Sequence, residues 1–363
     1  MIRVSKRSSL DGKYVLLIRL SSILLAMAAL GVFINFMGHN PFVVYKAMLE
    51  GCFGSAYRFK ETIKTAIPLT ITALGIMLAF KMKFWNIGAE GQILMGAFAG
   101  SYVGLNFSHL PKPILLTLML IAGIIGGGVW ALIPTWFKVK YGTNETLFTL
   151  MMNYIALKWV IFLQYGPWKD PDAMGFPKIP SFVDNAIIPK LMGVHLGWVI
   201  AIVLVVVIYI LINYTKLGFE ISVIGSSQNT ARYAGMSVRG IILKTLFIGG
   251  GLCGMSGIIQ ASAVAGNLTY EVGGGVGFTA IIIAWLSGMS ALLIPLTSFL
   301  FAILTQGASY IQTAFQIPQS AAEILQGMIL IFALASEFFI SYKVHFETKL
   351  IKQKTQEIAR EEM

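Results

Sequence analysis

The sequence predicts an all-α membrane protein, a polytopic bundle of about ten transmembrane helices of which one or two are broken or short. Of the 363 residues, 56% are hydrophobic and only 12% are charged, whereas an ordinary soluble domain has about 25% charged residues. A lipid bilayer accepts helices that are apolar on every side. The apolar residues also fall in runs of about 20, the length that a helix needs to cross the hydrocarbon core.

Ten such runs follow one another along the chain. They are residues 15–38, 62–81, 84–106, 113–137, 144–164, 196–214, 240–262, 276–289, 291–312 and 320–341. The run 84–106 carries polar residues and is expected to be broken, and the run 276–289 is too short to cross the bilayer by itself.

The basic residues predict that both termini are cytoplasmic. With the N-terminus inside, Lys and Arg recur at cytoplasmic loop ends, as the positive-inside rule requires: Lys81, Lys83, Lys138, Lys140, Lys216, Arg232, Arg239, Lys343 and Lys349. The same spread explains the net charge of +11 without a nucleic-acid partner. The predicted division is a cytoplasmic segment 1–14, a transmembrane domain 15–341 and a cytoplasmic tail 342–363, in a multi-pass protein of the plasma or inner membrane.

The two cysteines predict neither a disulfide nor a metal site. Cys52 falls in the stretch 39–60, which we interpret as an outer loop, and Cys253 falls in a membrane run. Their spacing is of no metal-binding or redox type.

Polar residues inside the membrane runs are the first candidates for function, because buried polar groups there are costly. The segment "KFWNIGAEGQILMGAFAG", residues 83–100, brings Trp85, Asn86, Glu90 and Gln92 towards membrane depth. We expect these residues to line a solute pathway. The alternative is close helix packing in which small residues and polar side chains hold neighbouring helices together.

The segment "YGTNETLFTLMMNYIALKW", residues 141–159, is the second candidate. Thr143 or Asn144 is expected to cap a helix, and Glu145 stands in its first turn, where the helix dipole favours a negative charge. Asn153 lies deeper in the apolar run and is expected to face the bundle interior. We add Asn144, Glu145 and Asn153, with Glu271 of the outer stretch 263–275, to the predicted pathway. Lys158 is interpreted as extending to the membrane interface.

The stretch 214–240 is too polar to span and too long for a tight turn. Within it, "QNTARYAGM" predicts a short amphipathic helix that ends at Gly235. Ala231, Tyr233 and Ala234 would then offer a small apolar surface to a partner. A solvated loop is the alternative.

Together these segments resemble the permease subunits of the branched-chain amino acid, ribose and simple-sugar division of the ATP-binding cassette importers, and most closely those that serve nucleosides. "FWNIGAEGQILMGAFAG" resembles a motif of that subfamily, with Trp85 where Phe is usual, and "TNETLFTLMMNYIA" resembles a second. "LGFEISVIGSSQNTARYAGM" is similar to the cytoplasmic coupling segment, although Ser222, Val223 and Thr230 depart from its usual residues. The resemblance covers residues 62–341.

The resemblance implies a permease that moves a small polar solute inward by alternating access, a nucleoside first and a simple sugar second. It also implies the partners: ATP-binding cassette subunits, a second and different homologous permease chain, and an extracytoplasmic solute-binding lipoprotein. The chain has no G-x-x-x-x-G-K-[ST] phosphate loop. We therefore expect no enzymatic activity and no cofactor bound by this chain, with ATP and Mg used by the partner ATPase.

The resemblance further assigns ATPase contact to the coupling segment 215–239. The residues expected to make this contact are Gly225, Asn229, Ala231, Arg232, Tyr233, Ala234 and Gly235.

Two other functions remain open on the sequence. An ion-coupled secondary transporter would also have broken helices, and Glu90 would serve as its proton or sodium site. An intramembrane enzyme would need catalytic groups inside the spans, yet all four histidines, His39, His109, His195 and His345, lie at loop or terminal positions.

Overall fold

The structure, a computed structural model, describes residues 2–7 and 12–318 and, beyond them, residues 321, 324, 327–328, 331–332, 335–336, 338–340 and 342–346. Chain contacts divide it into two compact units. One is Leu49–Gly307, and the other combines Met1–Met48 with Ala308–Met363.

The described residues form helices, with two small antiparallel strand pairs, and a long connection, residues 166–196, joins α6 to α7. In chain order the elements are β1 (Ile2–Lys6), α1 (Gly12–Phe36), α2 (Pro41–Phe53), α3 (Ala56–Lys81), α4 (Ala89–Asn106), α5 (Lys112–Tyr141), α6 (Glu145–Tyr165), β2 (Lys190–Leu191), β3 (Val194–His195), α7 (Gly197–Tyr214), α8 (Lys216–Ser226), α9 (Gln228–Tyr233), α10 (Val238–Gln260), α11 (Val276–Leu286), α12 (Ile294–Phe315) and β4 (Tyr342–Phe346). A 3-10 turn, Asp184–Ala186, precedes β2, and a π-helical turn, Ala261–Ala265, extends α10.

Six helices of the described chain are long and apolar enough to cross a membrane, and a seventh span results if the bent pair Leu24–Phe36 and Pro41–Phe53 counts as one. The six are α3, α5, α6, α7, α12 and α10 with its π-helical extension. The predicted membrane class is confirmed, whereas the count of about ten spans is not. The expected break near residue 84 is present, because α4 begins only at Ala89, and the expected short segment is α11, with 11 residues. The predicted span 320–341 is described at only half of its positions, and the tail beyond 346 lies outside the described residues.

The prediction of an outer loop at 39–60 is wrong. Helix α2 fills residues 41–53, and Cys52 is buried in it. The Asn40 side chain accepts a hydrogen bond from the Phe42 amide at 2.9 Å, and proline at the first helical position is favourable because its missing N–H has no partner there in any case. The helix is too short and too polar to span alone, which is why a search for apolar runs passes over it.

The unit Met1–Met48 with Ala308–Met363 has its own apolar core, formed by Leu30, Ile34, Val44, Ala47, Ile311, Ile317 and Ala321. In this unit β1 pairs antiparallel with β4, so that Ile2 lies opposite Phe346. The two ends of the described chain are therefore side by side.

The unit Leu49–Gly307 is built around α10, which packs against α3, α4 and α5. Small residues allow this contact. A Cβ atom added at Gly96 would overlap the backbone of Gly254, and one added at Gly254 would overlap the backbone of Gly123 and Gly127. The broken segment before α4 is thus anchored to the centre of the unit.

Candidate solute pathway and coupling surface

Residues 82–88 join α3 to α4 as irregular backbone, and buried amides satisfy its polar groups. The side chains of Asn86 and Gln92 are both 1% exposed. Gln92 Nε2 donates to Asn86 Oδ1 at 3.2 Å, and Asn86 Nδ2 donates to Gln92 Oε1 at 3.4 Å. Asn86 Oδ1 also accepts a hydrogen bond from the Gly88 amide at 3.0 Å.

Helix α6 supplies the remaining partners of this segment. Asn153 Oδ1 accepts from the Gly91 amide at 2.8 Å, and Asn153 Nδ2 donates to the Ile87 carbonyl at 2.9 Å. Thr149 Oγ1 accepts from the Ile87 amide at 3.2 Å. The prediction that Asn153 faces the bundle interior is confirmed. Thr149 was missed, although its spacing of four residues from Asn153 places both on one helix face.

Glu90 binds the N-terminus of α11. Its Oε1 accepts from the Gly275 amide at 3.0 Å, and its Oε2 accepts from the Gly277 amide at 2.8 Å. A carboxylate there meets unpaired N–H groups and the positive end of the helix dipole. The fit needs glycine, because a Cβ atom at Gly273 or Gly277 would overlap Glu90. Both carboxylate oxygens are thus engaged by backbone amides.

Asn144 and Glu145 lie at the turn between α5 and α6. Asn144 Oδ1 accepts from the Leu147 amide at 3.1 Å, which confirms the predicted cap. Glu145 Oε2 lies 2.7 Å from Lys138 Nζ. Cap and ion pair account for both side chains without a solute.

The polar residues predicted to line a pathway therefore fall into different places. Asn86, Gln92 and Asn153 come together, and all three are buried and hydrogen-bonded inside the chain. The physical reason is that backbone outside a helix must be satisfied at membrane depth, and these amides satisfy it. Trp85 is 45% exposed and stacks on Trp285, with 5.7 Å between ring centroids and 17° between planes.

Glu271 is exposed in the stretch between the π-helical turn and α11. A hydrogen bond to Glu271, together with its negative charge, raises the pKa of the neighbouring Tyr270, and Tyr165 at the end of α6 contributes in the same direction. These three side chains are thus close to one another.

The exposed face of α6 carries aromatic residues and a lysine. Tyr154, Ile155, Lys158, Trp159 and Phe162 line an open groove of about 580 Å³. Trp159 packs edge-on against Phe98 of α4, with 5.9 Å between ring centroids. From the sequence, this face has no predicted role beyond the extension of Lys158 to the membrane interface.

The stretch 214–240 forms two helices, α8 and α9. Ser227 Oγ accepts from the Thr230 amide at 3.2 Å and begins α9. Gly235 has a φ of +74°, and the Met236 amide donates to the Ala231 carbonyl at 3.0 Å. This is the left-handed helix end that glycine favours. The predicted short helix and its end at Gly235 are confirmed.

The surface of α9 differs from the one predicted. Ala231 is fully buried, and Gly225 of α8 is also buried, because a Cβ atom there would overlap the Lys81 carbonyl at the end of α3. The interpretation of Ala231 as a docking residue is therefore wrong, since the helix needs a small apolar side for its own packing. The exposed members of the predicted set are Asn229, Arg232, Tyr233, Ala234 and Gly235. Tyr233 is 93% exposed.

The matches to known proteins cover most of the chain. The family model described as branched-chain amino acid transport system / permease component matches residues 58–334. The glucose ABC transporter permease protein TsgB13 of Haloferax volcanii is 34% identical, over 89% of this chain and 88% of its own length. The guanosine ABC transporter permease protein NupP of Bacillus subtilis is 30% identical, over 93% and 97%. The nucleoside ABC transporter permease protein NupB of Lactococcus lactis subsp. cremoris is 28% identical, over 87% and 88%. The chain belongs to the branched-chain amino acid transport system permease family.

Proposed function

We propose that this chain is the transmembrane permease subunit of an ATP-driven importer that moves a nucleoside inward, with a simple sugar as the second candidate solute. The observation that carries the proposal is the near full-length similarity to ABC transporter permeases named for guanosine, for nucleosides and for glucose. Two of these three relatives are named for nucleosides, which gives that solute the preference. The engagement of Glu90 by two backbone amides gives an ion-coupled mechanism no free carboxylate at this position.

The contacts of the coupling segment 215–239 suggest how a conformational change in an ATPase is transmitted to the transmembrane helices. A partner bound to the exposed side of α9 would move α8 with it. Gly225 of α8 contacts the end of α3. The chain leaves α3 at Lys81 directly into residues 82–88. Asn153, Thr149 and Glu90 tie that segment and the start of α4 to α6 and α11. Movement of packed helices as rigid bodies would then alternate access to the pathway.

The proposed assembly contains ATP-binding cassette subunits, a second and different permease chain, and an extracytoplasmic solute-binding lipoprotein. ATP and Mg would be used by the cassette subunits, because the sequence has no phosphate loop. Pairing of β1 with β4 supports the placement of both termini on one side of the membrane, and the basic loop ends favour the cytoplasmic side.

Purification from native membranes followed by uptake in proteoliposomes tests the proposal. The chain should be recovered with an ATPase, a second permease and a receptor. The complex should accumulate labelled guanosine when ATP is supplied on the side of the ATPase, and unlabelled guanosine should compete better than glucose. A matched complex with an ATPase inactive in hydrolysis is the control. Accumulation driven by an ion gradient without ATP would overturn the mechanism, and better competition by glucose would reverse the order of solutes.

A further inference from the structure

The outward face of α6 differs from that of α7. Before the last turn of α7 the exposed residues are aliphatic, among them Ile202, Val206 and Ile210, as lipid contact requires. On α6 the exposed residues include Tyr154, Trp159 and Phe162, with Lys158 among them. A cation at membrane depth on a helix face needs a partner or water.

The position of Lys158 argues against extension to the membrane surface. It lies seven residues before the end of α6 at Tyr165, a rise of about 10 Å, and about 20 Å from the start at Glu145. The Cα–Cβ bond of a helical residue tilts towards the N-terminus of the helix. The Cα–Cβ bond of Lys158 therefore points towards the turn that holds Tyr154, away from the nearer end.

No acidic side chain within the described part of the chain forms an ion pair with Lys158. Contact of the ammonium with lipid would be costly, and a second copy of this chain placed symmetrically on the same face would bring two lysines together. Water is the environment that satisfies the group.

We infer that this face of α6 lines the solute pathway and that Lys158, between Tyr154 and Trp159, is a binding group for an uncharged polar solute with a planar ring. This inference rests on the proposed function and names the residues at which the solute is recognised. The ammonium donates hydrogen bonds to carbonyl, hydroxyl or ring-nitrogen acceptors. Aromatic side chains beside it offer surfaces on which a nucleobase stacks.

Polar side chains also lie at the end of α6 that follows Lys158. Tyr165 ends α6 close to Tyr270, which is hydrogen-bonded to the exposed Glu271. A negative group at that end and a positive group deeper in the groove disfavour anions and cations respectively. An uncharged nucleoside meets neither barrier.

Cysteine labelling in the assembled complex tests whether the outward face of α6 is accessible to water. Cys52 and Cys253 are both buried, which keeps background labelling low. Lys158→Cys should react with a membrane-impermeant cationic methanethiosulfonate about tenfold faster than Val206→Cys, the matched control on the aliphatic face of α7. Excess guanosine should slow the reaction of Lys158→Cys. Equal and slow labelling at the two positions would overturn the inference, whether lipid or the second permease covers the face.

Uptake by charge variants tests recognition of the solute. Lys158→Met should lower the rate of ATP-dependent guanosine uptake about tenfold, and Lys158→Arg should keep most of it, because a hydrogen bond to a charged donor contributes a factor of that order. Unchanged uptake by Lys158→Met would refute the binding role. The labelling experiment and the uptake experiment test different proposals, because labelling requires no transport. Rapid labelling of Lys158→Cys, with no ATP-driven uptake by the unmodified complex, would refute the proposed function but not the accessibility of this face.

Discussion

At the scale of single residues, the conspicuous polar side chains of the membrane domain hold irregular backbone in place. Gln92 donates a hydrogen bond to Asn86, which also accepts one from the Gly88 amide, and Asn153 accepts one from the Gly91 amide. Removal of one member leaves a buried donor or acceptor without a partner, which costs more than the intact bond contributes. These hydrogen bonds therefore stabilise the fold.

Asn153→Ala should destabilise the protein. The substitution leaves the Gly91 amide and the Ile87 carbonyl unpaired, and two such losses amount to roughly 2–6 kcal/mol. Thermal unfolding in detergent measures the change. Asn213→Ala is the matched control, because Asn213 is exposed and bonds only within its own helix. Similar melting temperatures for the two variants would contradict the structural role.

His195 predicts a pH dependence of stability. Its side chain is 1% exposed, and within the described chain neither ring nitrogen has a hydrogen-bond partner. Burial, with a smaller contribution from the charge of Lys64, lowers the pKa of His195 to about 4 from its usual 6.5. Because the unfolded chain binds the proton more readily between these two values, stability falls as pH drops from about 6.5 to about 4.

The slope is at most about 1.4 kcal/mol per pH unit in that window. Unfolding of the unmodified protein and of His195→Gln at several pH values measures it. The variant should lose this part of the pH dependence. His109→Gln is the control, because His109 is exposed in a loop. An identical pH profile for His195→Gln and the unmodified protein would refute the assignment.

At the scale of elements, α10 approaches α4 and α5 so closely that only glycine fits at the crossing. Gly254 faces Gly123 and Gly127 of α5, and Gly96 of α4 faces Gly254. Helices packed through small residues gain dispersion contacts that lipid cannot replace. This central contact gives the broken segment before α4 a rigid base.

Gly254→Ala should disrupt this crossing. The added methyl group would overlap backbone, which cannot move aside as a flexible side chain can, and overpacking of this kind costs about 1–3 kcal/mol or more. Gly240→Ala, in the exposed first turn of the same helix, should be neutral or stabilising, because alanine is the better helix former. Expression level and melting temperature separate the two. An unaffected Gly254→Ala variant would argue against the packing.

At the scale of the whole molecule, α9 is the exposed end of a chain of contacts that leads through α8 to the end of α3. Ala231 is unsuitable as a probe of docking, because a bulky residue there would damage the packing of α9 itself. Tyr233 is suitable, since its side chain is almost fully exposed, and its removal should leave the fold unchanged.

Tyr233→Ala should lower ATP-dependent uptake about tenfold or more without a shift in melting temperature, because an exposed aromatic anchor supplies much of the free energy of an interface. Co-purification of the ATPase should fall in parallel. Tyr57→Ala is the control. Tyr57 is also exposed, but it lies at the start of α3, whereas α8 contacts α3 at its other end, near Lys81. Full uptake by Tyr233→Ala would contradict the coupling role of this surface.

The sequence by itself determined the membrane class, most of the helices, the break before α4, the Asn144 cap, the end of α9 at Gly235 and the resemblance to a permease family. Apolar run length and helix capping depend on residues that are near neighbours in the sequence, so both can be predicted from the sequence. Only the tertiary structure decided which side of each helix is buried. Asn153 and Gly91 are 62 residues apart, and Glu90 and Gly275 are 185 apart. A polar residue in an apolar run has the same periodicity whether it meets another helix or a wet pathway, and only packing distinguishes the buried Asn153 from the exposed Lys158.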